Sequence, residues 1–511
     1  MSVPKLVGLE QEYGIAVQSR PHAEPLTQVQ AAFLLVNSYD RAHRGLWDYG
    51  CETPFKSALH RRMEHLQVRI SEADNALTNN ALTNGARYYV DHAHPEYATP
   101  ECRLARDVIA CDKAGERILE RSRQRANATL NGTHDIRVYK NNSDHKGNSY
   151  GCHENYTVDA RTYQHLFRET GLRELIPFLV SRQIICGAGK VGQENSAGGR
   201  AGYQISQRAD FCETVFSIKT MSGRPLLNTR DEPHADRRRF RRLHIILGDA
   251  NMSEVSTYLK VGTTQLVLRM IEDRAITRDV PLDAPVQAVR DISLDTTCRT
   301  KVKLRDGRQV DAIELQSEYL EMAHAYSATH ALNAEERNIL NRWERTLRLL
   351  REDPMHLRCE LDWVIKKWLL EQQIARRGFD WTAPRLRQLD IQYHSIEPGK
   401  SLFYLLQDAD QVERLIDDAA ITHFITHPTD DTRAYTRAMC LAKYGEAVWA
   451  VNWERVTFRL PDRLGSPGQE SKVLLLNPFR GTKADHQTLF TQADTAAMFL
   501  DGVRSIGRGH R

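Results

Sequence analysis

Two short stretches carry a strand-like pattern with chemistry on one side: Gly-Leu-Glu10-Gln-Glu12-Tyr-Gly and Arg87-Tyr-Tyr89-Val-Asp91-His-Ala-His-Pro-Glu96-Tyr. Both are rich in β-favouring residues and bounded by glycine or turn formers, so both predict strands. Strand side chains alternate between faces, which puts Glu10 and Glu12 on one face. The same period aligns Arg87, Tyr89 and Asp91. Acids and an arginine lined up on sheet faces are costly to bury unless they hold a cation or an anionic substrate. The pattern predicts an active-site sheet.

Further strands are expected at Ile136–Lys140, Ile184–Gly187, Pro225–Thr229 and Leu243–Leu247, with strand and turn over residues 1–20. Apolar positions at helical spacing predict helices over 107–127 and from Ser253 to about Asp273. Residues 313–378 read as mostly helical, broken near Asp353-Pro354. Between the two acidic strands, the polar stretch 48–80 reads as a long loop with a short helix around Ser57–Val68; loops of that size are commonly functional. The turn Pro428-Thr-Asp-Asp-Thr432 is the expected boundary between a catalytic domain, 1–427, and a small C-terminal domain, 428–511. The latter is expected to hold a helix, a Trp-containing strand (Val448–Leu460) and a short terminal helix. No internal repeat stands out.

Composition excludes several classes. With 511 residues, 41% hydrophobic and 27% charged, the chain reads as a soluble globular protein with a large core. A net charge of +4 implies no strong polyanion preference. The first residues lack the apolar stretch of a signal peptide, and no apolar run approaches the ~18 residues of a membrane span. The 9 cysteines are scattered without a C-x-x-C pair, which fits reduced thiols in a cytosol. A cytoplasmic protein without a membrane partner is expected, and the acceptor-like Asn131-Gly-Thr is incidental.

Two motifs mislead. Gly187-Ala-Gly189-Lys190 resembles the end of a phosphate loop, but Ile184 stands where glycine is needed and Val191 where serine or threonine is needed. His153-Glu154-Asn155-Tyr156 begins like a zinc-protease helix, but Thr157 replaces the second histidine. The set Glu10, Glu12, Asp91, Glu96, His153 and His244 is more informative. Carboxylates with a few imidazoles suit magnesium or manganese better than zinc. Taken singly, each has a structural or solvated role as its alternative. Arg237–Arg239, after Asn228-Thr-Arg230-Asp231-Glu232-Pro-His234-Ala-Asp236, read as a solvated turn or as a basic wall for phosphate or an acidic partner. Only Phe240 is near enough to interleave with this basic run, so nucleic acid is not the expected partner.

These segments resemble the Pup ligase/depupylase family, relatives of glutamine synthetase and γ-glutamyl-cysteine ligases. The matching stretches include GLEQEYG (8–14), TNGARYYVDHAHPEYATPEC (83–102), YKNNSDHKGNSYGCHENY (139–156), SQRAD (206–210), NTRDEPHAD (228–236) and RRLHIILGDANMSE (241–254). The resemblance implies an α+β fold, a glutamine synthetase-like curved antiparallel sheet cradle packed with helices. One branch of the family joins the small tag protein Pup to lysines by consuming ATP. The other cleaves that isopeptide bond and deamidates a C-terminal glutamine of the tag.

The spacing Asp91-His-Ala-His-Pro-Glu96, the segment after Trp47-Asp48-Tyr49 and Pro478-Phe-Arg-Gly-Thr-Lys-Ala resemble the hydrolytic branch. Ser-Tyr-Gly-Cys152-His, Gly248–Glu254 and Asp362-Trp-Val-Ile-Lys look more like the ligases. Weighting the spacing beside the chemistry implies a depupylase/deamidase; the alternatives are the ATP-consuming ligase and a catalytically silent tag-binding adaptor. By resemblance, ATP (or ADP plus phosphate) is a cofactor that is not consumed, with Mg²⁺ on Glu10, Tyr89, Glu96, His153 and His244. Glu12 is a lesser candidate. Arg87, Thr99 and Trp453 would contact the nucleotide. Asp91 would attack the tag carbonyl or activate water, assisted by Arg208 and Arg230. The implied partners are an acidic Pup-like tag and tagged proteins, with a functional link to a bacterial proteasome.

Overall fold

A computed structural model of the chain describes residues 2–40, 42, 44–49, 52, 56–59, 79–194, 202–220, 222–461 and 467–508. At its centre is one large sheet built from β1 (Val7–Glu12), β2 (Arg44–Leu46), β3 (Asn79–Leu82), β4 (Arg87–Asp91), β5 (His94–Ala98), β6 (Cys152–Asp159), β7 (Thr214–Ser217), β8 (Pro225–Asn228) and β9 (Phe240–Ile245). Their order is β7-β8-β9-β6-β1-β5-β4-β3-β2. The first strand in sequence therefore lies in the middle. Neighbours pair antiparallel except β7 and β8, which run parallel, so the expected antiparallel cradle is a mixed sheet at one edge. The α+β class holds.

Register determines what shares a face, because directly opposed residues on paired strands point the same way. Glu10 lies opposite Ala98 and His153, Glu12 opposite Glu96, Tyr89 opposite Glu96, and His244 opposite Asn155. Acids, imidazoles and Arg87 thus gather on the front. On the back, Val7, Leu9, Tyr88, Tyr97, Tyr156, Val158, Leu243 and Ile245 are buried. The helices Ala105–Thr129 and Glu254–Glu272 pack against this back face. Each large apolar side chain so buried contributes about 1.5–3 kcal/mol. Ser253 caps the second helix, its Oγ accepting from the Ser256 N–H, at the predicted start.

The helical region is interrupted where expected. Helix Ala334–Glu352 ends at Asp353, whose side chain accepts from the Met355 N–H across Pro354, and Asp362–Arg377 resumes beyond it. Two expectations fail. Ile184–Gly187 is not a strand: Gln183–Cys186 is a helical turn in the buried core, an ambiguity inherent in a short apolar run. Val448–Leu460 is not one strand either. It is a hairpin of β10 (Val448–Asn452) and β11 (Arg455–Pro461), turned where Asn452 Oδ1 accepts from the Glu454 N–H at 3.0 Å. With β12 (Pro467–Leu474) it forms a three-stranded sheet beside the helices Ala434–Tyr444, Lys483–Gln492 and Ala496–Arg508.

A second apolar core joins Trp47 and Ala81 to Tyr435, Val451, Phe458, Phe490 and Phe499. Trp47 bridges to Val451, and the Asp48 N–H donates to the Val451 carbonyl at 2.7 Å. Ser57 forms a bridge with Arg230, while the Ala58 N–H donates to Thr229 O and the Asp231 N–H to Lys56 O, each at 2.8 Å. Ser57 is therefore extended; the remainder of the expected helix falls, beyond Leu59, outside the described residues. Asn79 and Asn80, placed in the loop by sequence, belong to β3. No helix among the described residues is long and apolar enough to cross a membrane.

Candidate active site

Glu10, His153 and His244 converge from β1, β6 and β9, with one ligand atom from each within 4.8 Å of the others. His153 Nδ1 lies 3.4 Å from Glu10 Oε2, and the two imidazoles stand edge to face at 5.1 Å. Gly151 makes room for this ring, since a Cβ there would come 2.1 Å from His153 Nε2. Asn155 organises the trio. Arg242 Nη1 can only donate, so the Asn155 oxygen faces it at 2.7 Å and the amide nitrogen donates to Glu10 Oε1 at 3.0 Å. That same oxygen is 2.8 Å from His244 Nδ1, which must therefore carry the proton. Nε2 of His244 is left with its lone pair for a cation. Burial, with the Arg242 charge, keeps the His244 imidazole well below its ordinary value despite Glu10, and so neutral.

Glu12, Asp91 and Glu96 make a second acidic group equally compact. Burial and the charges of Asp91, Glu12 and Glu10 push the Glu96 carboxyl well above the usual range, and Tyr89 Oη donates to it. Four carboxylates with few cations among them fit a divalent ion. Asp91 differs from the rest. Its side chain is 39% exposed, at the end of β4. Burial pushes its carboxyl up, but the contact with His92 and the charges of His92, Arg230 and His153 hold it below the usual range. It is an ionised carboxylate at the open end of an otherwise enclosed acidic cleft.

Arg230 stands half-buried in this field, its guanidinium held charged by Glu232, Glu10 and Asp91 against the penalty of burial. Its Nε has no hydrogen-bond partner among the described residues. Arg208, by contrast, is tied elsewhere, donating from Nη1 to Tyr150 O at 2.6 Å. Arg224 feels the like charge of Arg208, and its value falls to about 10 through burial and that charge.

Beside Glu10, His153 and His244 a pocket opens between β1, β5, β6, β9 and the C-terminal part. Glu10, Thr99, Arg242, His234, Arg433 and Trp453 are among its walls. Thr99 Oγ1 accepts from the Leu9 N–H at 3.0 Å, and Trp453 packs edge-on to Trp47 at 4.9 Å. Arg87 is adjacent, stacked 3.8 Å over Tyr89 and bound to Glu52 Oε1 at 2.9 Å. Glu101 ties the pocket floor to the C-terminal part through Arg433 (2.8 Å) and Arg437 (2.6 Å).

Asn155, Glu52 and Arg224 escaped the sequence reading, whereas Arg242 belonged to its basic wall. Asn155 had a signal, since it stands two residues from His153 on one strand face. Glu52 had none, because its approach to Arg87 depends on the path of the chain after Trp47.

The chain matches the Pup-ligase protein family over residues 5–457 and belongs to it. It is 44% identical over 492 residues to the depupylase of Acidothermus cellulolyticus, covering 94% of this chain and 95% of that one. It is 39% identical over 505 residues to the Pup deamidase/depupylase of Mycolicibacterium smegmatis, covering 97% and 99%. The Pup–protein ligase of Nakamurella multipartita is 43% identical over 407 residues, covering 78% and 86%. Among solved structures, the complex of Pup with its ligase PafA superposes with a TM-score of 0.78 at 32% identity, covering 96% of this chain and 92% of the other. PafA bound to ADP gives 0.71 at 36% identity, covering 81% and 89%.

Proposed function

We propose that this protein is a hydrolase of Pup-type tags, cleaving the isopeptide bond between the side chain of a tag's C-terminal glutamate and a substrate lysine. Deamidation of a C-terminal glutamine on the tag is the same reaction with ammonia as leaving group. The observation that carries the reading is Asp91: ionised, half-exposed and next to Arg230 at the mouth of the acidic cleft. The full-length likeness to depupylases supports it.

Glu10, His153 and His244, with Glu96 and Tyr89, would hold Mg²⁺; the neutral His244 and the excess of carboxylates suit it. Thr99, Trp453 and Arg87 would hold ATP, or ADP plus phosphate, in the adjoining pocket. Bound together, the two would supply a fixed array of positive charge and phosphate oxygens around the tag's carbonyl without being consumed. Asp91 forms a bond to the carbonyl carbon, the amine departs, and water opens the resulting anhydride. Negative charge develops on the carbonyl oxygen, and Arg230 faces that charge. The Arg208–Arg224 pair, two cations side by side, attracts an acidic tag or its terminal carboxylate. Tagged proteins, a bacterial proteasome downstream and a cytoplasmic setting complete this reading.

The ligase-like segments, and the identity to ligases, favour ATP-dependent joining as the second reading. One assay separates the two. A tag–lysine conjugate with ATP and Mg²⁺ is followed by gel and mass spectrometry for wild type and Asp91→Asn. Release of free tag by wild type alone, without matching ATP hydrolysis, is expected. ATP-dependent attachment of free tag to a substrate, with no release, would overturn the hydrolase reading.

A further inference from the structure

His92 follows Asp91 in the two-residue connection between β4 and β5. Its φ is 53°, in the left-handed region that side chains other than glycine or asparagine enter at a cost. A turn that only closed the hairpin would be better served by glycine or asparagine. Strain of this kind persists where a side chain is needed. His92 Nδ1 lies 3.1 Å from Asp91 Oδ1, and the imidazole is 56% exposed, on the open side of that carboxylate. The hydrolysis needs such a group there. An amide nitrogen leaves only with a proton, and Asp91, as a carboxylate, has none to give.

We propose that His92 is the acid of the reaction, held through Nδ1 by Asp91 and protonating the departing nitrogen from Nε2; this rests on the hydrolase reading above. As Asp91 bonds to the carbonyl carbon, the C–N bond breaks and its electron pair goes to nitrogen, which takes the Nε2 proton. The amine leaves neutral and His92 is neutral. Water then opens the anhydride, its proton passing to solvent, and the exposed imidazole regains a proton from solvent. One water enters; one amine and one carboxylic acid leave. The groups facing the ring agree with the role. Asp91 takes Nδ1, while Glu12 on β1 and Arg230 are the other charges that face the ring.

The test uses a leaving-group comparison with His92→Asn and His92→Gly in the full chain with ATP and Mg²⁺. Both residues suit a left-handed turn, so melting temperatures at or above wild type are expected. Asparagine also keeps a donor towards Asp91. For a tag–lysine conjugate, kcat falls about 100-fold or more in both variants. For a tag carrying a p-nitrophenyl ester on its terminal glutamate, whose phenolate leaves without a proton, the fall is no more than a few-fold. Equal losses on conjugate and ester would show that His92 only orients Asp91 and would overturn the proposal, as would no loss on the conjugate. If wild type cleaves neither probe, the hydrolase reading itself falls, and this inference with it.

Discussion

Glu154 and Glu96 are both buried glutamates of the same sheet, one on the back and one on the front. Glu154 receives Arg182 at 2.8 and 2.5 Å and the Tyr156 hydroxyl at 2.6 Å. Against burial, that arginine holds its carboxyl below the usual range. Glu96 meets Asp91, Glu12 and Glu10, and is held well above it. On the back, each charge has its partner within the chain. On the front, negative charge accumulates without enough partners, and the protein is left to find them in a ligand. A buried polar group with its partners is architecture; one without them marks a place where something binds.

The largest expected effect breaks this contrast if it fails. Glu154→Gln leaves the buried Arg182 without its counter-charge, and is expected to cost about 3–5 kcal/mol in denaturant unfolding. Glu96→Gln removes repulsion instead. Its metal-free melting temperature should equal or exceed wild type, and Mg²⁺, expected to raise the wild-type value, should not raise the variant's. A lower metal-free melting temperature for Glu96→Gln would refute the reading of the front face.

Glu101 belongs to the paired kind although it lines the pocket. Burial pushes its carboxyl up, but Arg437 and Arg433 bring it down to about 2. Because the folded value is depressed, its contribution is complete above the ordinary glutamate range near pH 4.5 and is lost as pH falls towards 2. That contribution is on the order of 3 kcal/mol. Acid unfolding followed by circular dichroism should show this limb in wild type and not in Glu101→Gln.

Smaller effects refine the picture. Asn155→Ala frees the His244 tautomer and should weaken Mg²⁺ binding by about 10–100-fold in calorimetry. The fold should be retained. Arg238→Ala, in the exposed run after Asp236, should change stability by no more than about 0.5 kcal/mol.

The front face was legible because strand period and chemistry coincide. Glu10 and Glu12, or Arg87, Tyr89 and Asp91, can be assigned to one side of a strand from spacing alone. Ser253 and Asp353-Pro354 marked helix ends for equally local reasons. What failed was non-local. Gln183–Cys186 is helical because of what surrounds it, and its composition does not decide between helix and strand. The surroundings of Arg208 and Arg230 are non-local too: one donates to Tyr150 O and the other stands in the field of Asp91 and Glu232. No pattern along the chain separates those outcomes.

The contact between the segment after β3's partner strand and the C-terminal hairpin has a consequence in time. Trp47 bridges to Val451, and Asp48 pairs with Arg455, 407 residues further along. At about 5–20 residues per second, a ribosome needs roughly 20–80 s to travel that distance. Throughout it the indole of Trp47 has no hairpin to pack on, and the wall of the pocket that Trp453 completes does not exist. A nascent chain of this protein therefore holds its acidic strands long before it can close the Trp453 side of the cleft. Slow assembly of so non-local a contact makes the late hairpin, rather than the early sheet, the step at which chaperones or mutations act on the yield of active enzyme.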